Sequence, residues 1–275
     1  MSEASRSDAA SKGKAPPRMM HRERITLAGR ELEIETIGGS KRAPALVFLH
    51  EGLGSLNLWR DFPLTLAERT GCAALVYSRY GNGFSEPLRE ARTPAYMHEE
   101  ALTTLPALLE AQGIHDAILF GHSDGASIAV IFAAKHPEIV RGAILEAPHL
   151  FVEDLSVRSI AAIRNEFEKG PLRERMARHH ADAGRTFYGW NDVWLSPSFR
   201  DWNVESFAQR IECPLLVIQG LDDEYGTVAQ VDALARTVRG PVDRLLLAHC
   251  GHAPHRDRAG LVIETAAAWV RDARP

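Results

Sequence analysis

The sequence predicts an α/β fold: a doubly wound, mostly parallel sheet with helices on both faces. Short apolar runs recur along the chain, at 45–50 (ALVFLH), 73–78, 117–122, 142–148, 214–220 and 244–249. Most are separated by stretches in which apolar residues have helical spacing, at 96–112, 126–135, 228–238 and 260–270. Short apolar runs are typical of strands buried on both faces, and their alternation with helices favours parallel pairing.

The ends of this pattern suggest where the folded core lies. Residues 1–20 are rich in Ser, Ala, Lys and Pro, which predicts a flexible tail. The segment ELEIETI (31–37) alternates apolar and polar residues, as a half-exposed strand does. We therefore expect one core, formed by residues 21–148 and 211–275.

One gap interrupts the alternation, between the strand ending near residue 147 and the strand beginning near 214. The gap is too long for an ordinary loop and has helical patterns at 156–168 and 171–183. We therefore predict a helical lid insertion over 149–210. It is rich in aromatic residues, and we expect Trp190, Trp194 and Trp202 to contribute to an apolar substrate cavity beneath it.

Composition argues against several classes of protein. The net charge is only -4 and no stripe of Lys or Arg stands out, so nucleic acid is not an expected partner. The three cysteines lack metal or disulfide spacing, which favours a reducing compartment and no metal. No apolar run approaches the roughly 18 residues that span a bilayer, and the N-terminus lacks the apolar segment of a secretory signal. We expect a cytoplasmic protein that acts on a small molecule without a cofactor, as a monomer or a homodimer.

The motif GHSDG (121–125) carries the strongest functional signal. It follows the apolar strand AILF and precedes the apolar helix ASIAVIFAAKH, which is the strand-turn-helix context of a nucleophile elbow. The glycines permit a turn that raises the hydroxyl of Ser123 above the sheet edge. Ser123 is therefore the predicted nucleophile.

A serine hydroxyl needs a base, and the base needs an acid to orient it. Of the twelve histidines, His252 lies in CGHAPH directly after a late strand, where a catalytic partner is delivered. His249 and His255 flank it and are weaker candidates, and His122 is expected to pack away from the site. The turn LDDEYG offers Asp222, Asp223 and Glu224 as the acid, and we favour Asp223.

An oxyanion needs backbone N–H donors. The amide of Asp124, next to the nucleophile, is one expected donor. The other is expected from the glycine-rich loop HEGLGS (50–55).

Together these motifs resemble the α/β-hydrolase superfamily over residues 21–273. The matching segments, in order, are LHEGLGS, SRYGNGFS, GHSDG, IQGLDDEYG and CGHAPH. The resemblance implies Ser123 as nucleophile, His252 as base and Asp223 as acid, with the amides of Gly52 and Asp124 as the oxyanion hole. Two departures leave alternatives open. Glu51 follows His50 where the family has glycine, which makes Leu53 an alternative donor, and Glu146 occupies the position where some members carry their acid.

The expected activity is that of a serine esterase, which cleaves a small carboxylic ester, lactone or thioester through an acyl-enzyme. Alternatives on the same scaffold are a carbon-carbon bond hydrolase, a cofactor-free oxygenase or lyase, and a ligand-binding receptor with vestigial turnover. Glu51 and Asp124 would place two carboxylates near the reacting carbonyl. If both are unpaired, neutral or cationic esters should be preferred. In the alternative, Glu51 pairs with a cation such as Arg79 and Asp124 favours the positive end of the helix that follows the nucleophile, and this preference should vanish.

Overall fold

A computed structural model describes residues 18–40 and 42–273. Within these ranges an eight-stranded sheet forms the centre of the molecule. Its strands are β1 (Met20–Leu27), β2 (Arg30–Ile37), β3 (Ala45–Leu49), β4 (Ala74–Tyr77), β5 (Ala117–His122), β6 (Val140–Glu146), β7 (Leu215–Gly220) and β8 (Val242–Leu247). Six of the eight were expected from the apolar runs and β2 from its alternation.

The sheet order is β1-β2-β4-β3-β5-β6-β7-β8. β1 and β2 form an antiparallel hairpin that pairs with β4, and all pairs from β4 to β8 are parallel. The prediction of a doubly wound, mostly parallel sheet is confirmed. The carboxyl ends of β3 to β8 share one edge of the sheet, so the loops that follow these strands come together there.

Eleven α-helical segments accompany the strands in the described part of the chain. They are α1 (Phe62–Thr70), α2 (Tyr96–Glu99), α3 (Leu105–Ala111), α4 (Asp124–Lys135), α5 (Asp154–Lys169), α6 (Leu172–Ala177), α7 (Ala183–Leu195), α8 (Glu205–Ala208), α9 (Val228–Thr237), α10 (Pro254–Asp257) and α11 (Ala259–Asp272). The single helix expected over 96–112 is interrupted by a π-helical segment, Glu100–Thr104. The irregularity lies where Pro106 has no N–H to donate to the carbonyl of Leu102.

Two apolar cores lie on opposite faces of the sheet. One contains Val47, Leu119 and most of helix α4, which is buried except at Lys135, and the other contains Phe48, Phe120 and the inner face of α11. Neighbouring residues of β3 and β5 thus alternate between the two cores, as strand geometry requires.

Helices α5 to α8 form the expected helical insertion between β6 and β7. The tail predicted over residues 1–20 lies mostly outside the described residues. Its last residue, Met20, is the first residue of β1. No helix in residues 18–40 and 42–273 is long and apolar enough to cross a membrane.

Candidate active site

Ser123 occupies a sharp turn between β5 and α4. Its φ is 54°, in the left-handed region that non-glycine residues rarely adopt, and its N–H donates to the Glu146 carbonyl at 2.9 Å. A Cβ on Gly121 would lie 2.5 Å from the Gly125 carbonyl oxygen, and one on Gly125 would lie 2.0 Å from the Leu49 carbonyl oxygen. Both glycines of the motif are therefore required for the chain to make this turn.

His252 and Asp223 form a hydrogen-bonded pair beside this turn. The Nδ1 atom of His252 lies 2.9 Å from each carboxylate oxygen of Asp223. The carboxylate also accepts hydrogen bonds from the Gln219 side chain (2.8 Å) and from the backbone N–H groups of Tyr225 (2.7 Å) and Gly226 (3.2 Å). Burial alone would raise the pKa of Asp223, but the contacts with His252 and with the backbone lower it to about 2. Asp223 is therefore a fixed negative charge that holds the imidazole by Nδ1, so Nε2 is the ring nitrogen that it leaves without a contact.

Glu146, the alternative acid, has a different partner. One carboxylate oxygen accepts the backbone N–H of His255 at 2.5 Å, and the other lies 2.5 Å from Nδ1 of the same residue. Both side chains are buried, on the side of the sheet edge that carries Trp59 and Phe62. Glu146 and His255 thus form a second acid-histidine pair that anchors the loop following His252.

Three backbone N–H groups near Ser123 are candidates for an oxyanion hole: those of Gly52, Leu53 and Asp124. None of them donates to another described residue. The Asn82 side chain holds the first loop in place by donating to the carbonyls of Gly52 and Gly54, each at 3.0 Å. Gly52 is also close to the insertion, since a Cβ there would lie 2.1 Å from Nε1 of Trp190.

The carboxylates of Glu51 and Asp124 both have partners. Asp124 accepts a hydrogen bond from the Tyr96 hydroxyl at 2.5 Å and lies 3.7 Å from the Arg79 guanidinium. Glu51 lies 3.5 Å from Nδ1 of His122. Burial opposes the charge of each partner, yet their contact lowers the pKa of Glu51 and raises that of His122. The arrangement with two unpaired carboxylates is therefore not the one that the protein adopts.

A cavity of about 320 Å³ opens beside Ser123 and His252. Helices α5 and α7 of the insertion line one wall with Ile160, Ile163, Trp190 and Trp194. Trp202 does not line it and is stacked on Phe199 at 5.3 Å. The cavity is thus lined by every proposed triad, oxyanion and substrate-binding residue except Asp223, which lies behind His252, and Trp202.

Sequence reasoning missed several residues of the cavity wall. They include His149, Tyr225 and Arg256, and also His122, which was expected to pack away from the site. His149 follows β6 at the carboxyl edge of the sheet, and this position was the available signal for it. Arg79 lies beside the carboxylate of Asp124 and not beside that of Glu51, the partner expected from the sequence.

The topology and the elbow define a class of protein, the doubly wound α/β proteins with a strand-turn-helix serine. Residues 44–169 match the family model described as alpha/beta hydrolase fold. The chain has the α/β-hydrolase fold, as its motifs predicted.

Known members resembling the chain have varied activities. A proline iminopeptidase from Lactobacillus helveticus is 23% identical over 239 residues, covering 73% of this chain and 81% of the relative. An esterase structure from Thermogutta terrifontis superposes with a TM-score of 0.70 at 20% identity, covering 93% of this chain and 100% of that chain. A haloalkane dehalogenase from Bradyrhizobium elkani superposes with a TM-score of 0.74 at 17% identity, covering 93% and 99%. At these identities the structural likeness shows the fold alone, and hydrolases predominate among the relatives.

Proposed function

We propose that the protein is a serine hydrolase that cleaves a small carboxylic ester, lactone or thioester through an acyl-enzyme. The observation that carries the proposal is the His252-Asp223 pair, with 2.9 Å contacts, whose histidine lines the same cavity as the elbow serine. A serine rather than a carboxylate at the elbow argues against epoxide hydrolase and dehalogenase chemistry.

In the proposed reaction the Oγ atom of Ser123 attacks the substrate carbonyl while Nε2 of His252 takes the hydroxyl proton. The amides of Asp124 and of Gly52 or Leu53 stabilise the oxyanion. As the carbon-oxygen bond to the leaving group breaks, His252 returns the proton to the departing oxygen. Water then attacks the acyl group by the same route and releases the acid. The insertion acts as a lid that selects the acyl chain.

The test is a substrate panel combined with active-site labelling. Purified protein is assayed with p-nitrophenyl acetate, butyrate and octanoate, a lactone, a thioester and L-proline p-nitroanilide. It is also treated with a fluorophosphonate and analysed by intact and peptide mass spectrometry. We expect steady-state ester hydrolysis and a single label on Ser123. Higher turnover of the anilide than of any ester would assign a peptidase instead.

Two variants complete the test. Ser123→Ala and His252→Ala should each lower kcat by about 10³ to 10⁶, and the double variant should be no worse, because the two residues act as a unit. Ser198→Ala is the control, since Ser198 is exposed, lies outside the cavity lining and has its hydroxyl 3.1 Å from that of Ser196. A wild-type protein that is neither labelled nor active on any ester would favour the oxygenase, lyase or receptor alternatives.

A further inference from the structure

His149 is a buried histidine of the cavity wall that the proposed acyl transfer does not use. It follows β6, and its backbone is held firmly: its carbonyl accepts from the Ser127 hydroxyl at 2.6 Å, and the next N–H donates to Gln230 at 2.7 Å. Its ring packs edge-on against Trp194, with centroids 5.3 Å apart, and lies 5.8 Å from the His252 ring. The side chain is therefore fixed close to the base.

The ring nitrogens of His149 are without hydrogen-bond partners in the part of the chain that the structure describes. The residue is only 2% exposed, and Nδ1 is sealed from solvent without a partner. Most buried polar groups in proteins have a partner, so each exception calls for an explanation. Because Nδ1 is sealed and His149 lines the cavity, Nε2 is the atom left for a ligand.

The imidazole of His149 is neutral at physiological pH. Burial, followed by the nearby charge of His252, lowers its pKa to about 4, and the carboxylates of Asp223, Asp124 and Glu153 only partly oppose this. A neutral imidazole carries one N–H. A buried N–H without an acceptor is rarer in proteins than a buried acceptor without a donor. Because Nδ1 is the sealed nitrogen, we place the proton on Nε2, facing the cavity.

We propose that His149 is a specificity-determining residue whose Nε2–H donates to a second oxygen of the substrate, close to the reacting ester group. The proposal rests on the proposed hydrolase function and narrows it to esters that carry an additional ether, carbonyl or hydroxyl oxygen. A substrate with a methylene at that point leaves the buried donor unpaired, and polar sites discriminate strongly against such analogues.

Isosteric ester pairs provide the test, because an ether oxygen can replace one methylene with little change in shape. In the acyl arm, p-nitrophenyl methoxyacetate is compared with p-nitrophenyl butyrate. In the leaving-group arm, 2-methoxyethyl acetate is compared with butyl acetate by proton release. The kcat/KM ratio within each pair is measured for wild type and His149→Phe. Dividing one ratio by the other cancels the intrinsic reactivity of the esters.

We expect His149→Phe to reduce the preference for the ether-containing ester about five- to tenfold in one arm, which identifies the side of the substrate that His149 contacts. His149→Gln retains a donor and should keep more of the preference than His149→Phe. The matched control is His98→Phe, since His98 also has a sealed, unpartnered Nδ1 and packs against Trp202, but does not line the cavity. The control should leave both ratios unchanged.

A binding measurement separates this proposal from the proposed function. The Kd values of methyl methoxyacetate and methyl butyrate are measured by NMR titration in two proteins, the Ser123→Ala variant and the double variant that also carries His149→Phe. A Kd ratio that differs between the two proteins supports the inference even if wild type hydrolyses no ester. Unchanged ratios in both the kinetic arms and the titration would overturn it while leaving ester hydrolysis standing.

Discussion

Replacing Asp223 by Asn tests the assignment of the acid most directly. The Asp223 carboxylate is surrounded only by hydrogen-bond donors. They belong to Gln219, Tyr225, Gly226 and His252. An asparagine has one acceptor oxygen and one NH₂ group. If the oxygen stays with the backbone N–H groups of Tyr225 and Gly226, the NH₂ group faces Gln219 and His252. His252 must then accept at Nδ1 and carry its proton on Nε2, the tautomer that cannot take the proton of Ser123.

The expected loss in kcat for Asp223→Asn is about 10⁴-fold, the size found when the acid of a serine triad is made neutral. The effect on folding is smaller. The pKa of Asp223 falls from an ordinary 3.8 to about 2, which corresponds to about 2 kcal/mol of stability. Because the folded-state pKa is depressed, this contribution is present above about pH 4 and is lost as the pH falls through about 2. Because this lowered pKa already includes the cost of burying the charge, the expected loss at neutral pH is about 2 kcal/mol.

Two further variants allow the kcat losses at the three candidate acids to be compared. Glu146→Gln should lower kcat by about tenfold or less, because its partner His255 can change tautomer without facing the cavity. Asp222→Asn should have almost no effect, since Asp222 is exposed and only 3.9 Å from an exposed His249. The assay is p-nitrophenyl butyrate hydrolysis at neutral pH, with urea unfolding as the check on stability. A larger kcat loss in Glu146→Gln than in Asp223→Asn would refute this reasoning and move the acid to β6.

Three other outcomes are expected. Gly125→Ala should destabilise the protein by about 1 to 3 kcal/mol in urea unfolding, because the new Cβ would overlap the Leu49 carbonyl. Gly260 has open space around it, so Gly260→Ala should be neutral or stabilising. Equal effects of the two substitutions would contradict the tight turn at Ser123. Trp190→Ala and Trp194→Ala should change the ratio of kcat/KM for p-nitrophenyl acetate to that for p-nitrophenyl octanoate. Trp202 lies outside the cavity lining, so Trp202→Ala should affect both esters alike. A ratio that changes only in Trp202→Ala would reverse this assignment. Because Glu51 is paired with His122, wild type should discriminate little against an ω-carboxylate ester relative to its neutral analogue. Glu51→Gln should change the ratio of kcat/KM for these two esters by no more than about twofold at low salt. A strong preference for the neutral ester that persists at high salt would indicate an unbalanced buried charge.

The local sequence was sufficient for those features that depend on neighbouring residues. Continuous apolar runs such as Ala45–Leu49 and Ala117–His122 have no polar face, so they fit only a strand covered on both sides. The GHSDG motif determines its own turn, because at both glycine positions a Cβ would overlap neighbouring backbone atoms. β1 was missed because its residues are mostly exposed and lack an apolar alternation; its pairing with β2 defines it.

Only the tertiary structure decided which groups meet across the sheet edge. The chain offers three carboxylates after β7 and one at the end of β6, with three histidines near the end of β8, and sequence order alone does not pair them. Packing assigns Asp223 to His252 and Glu146 to His255, and it places Asp124 against the Tyr96 hydroxyl and the Arg79 guanidinium. The contact between the rings of His149 and Trp194 likewise joins the sheet edge to the insertion. These contacts join residues far apart in the chain, and each depends on side-chain positions that no local pattern encodes.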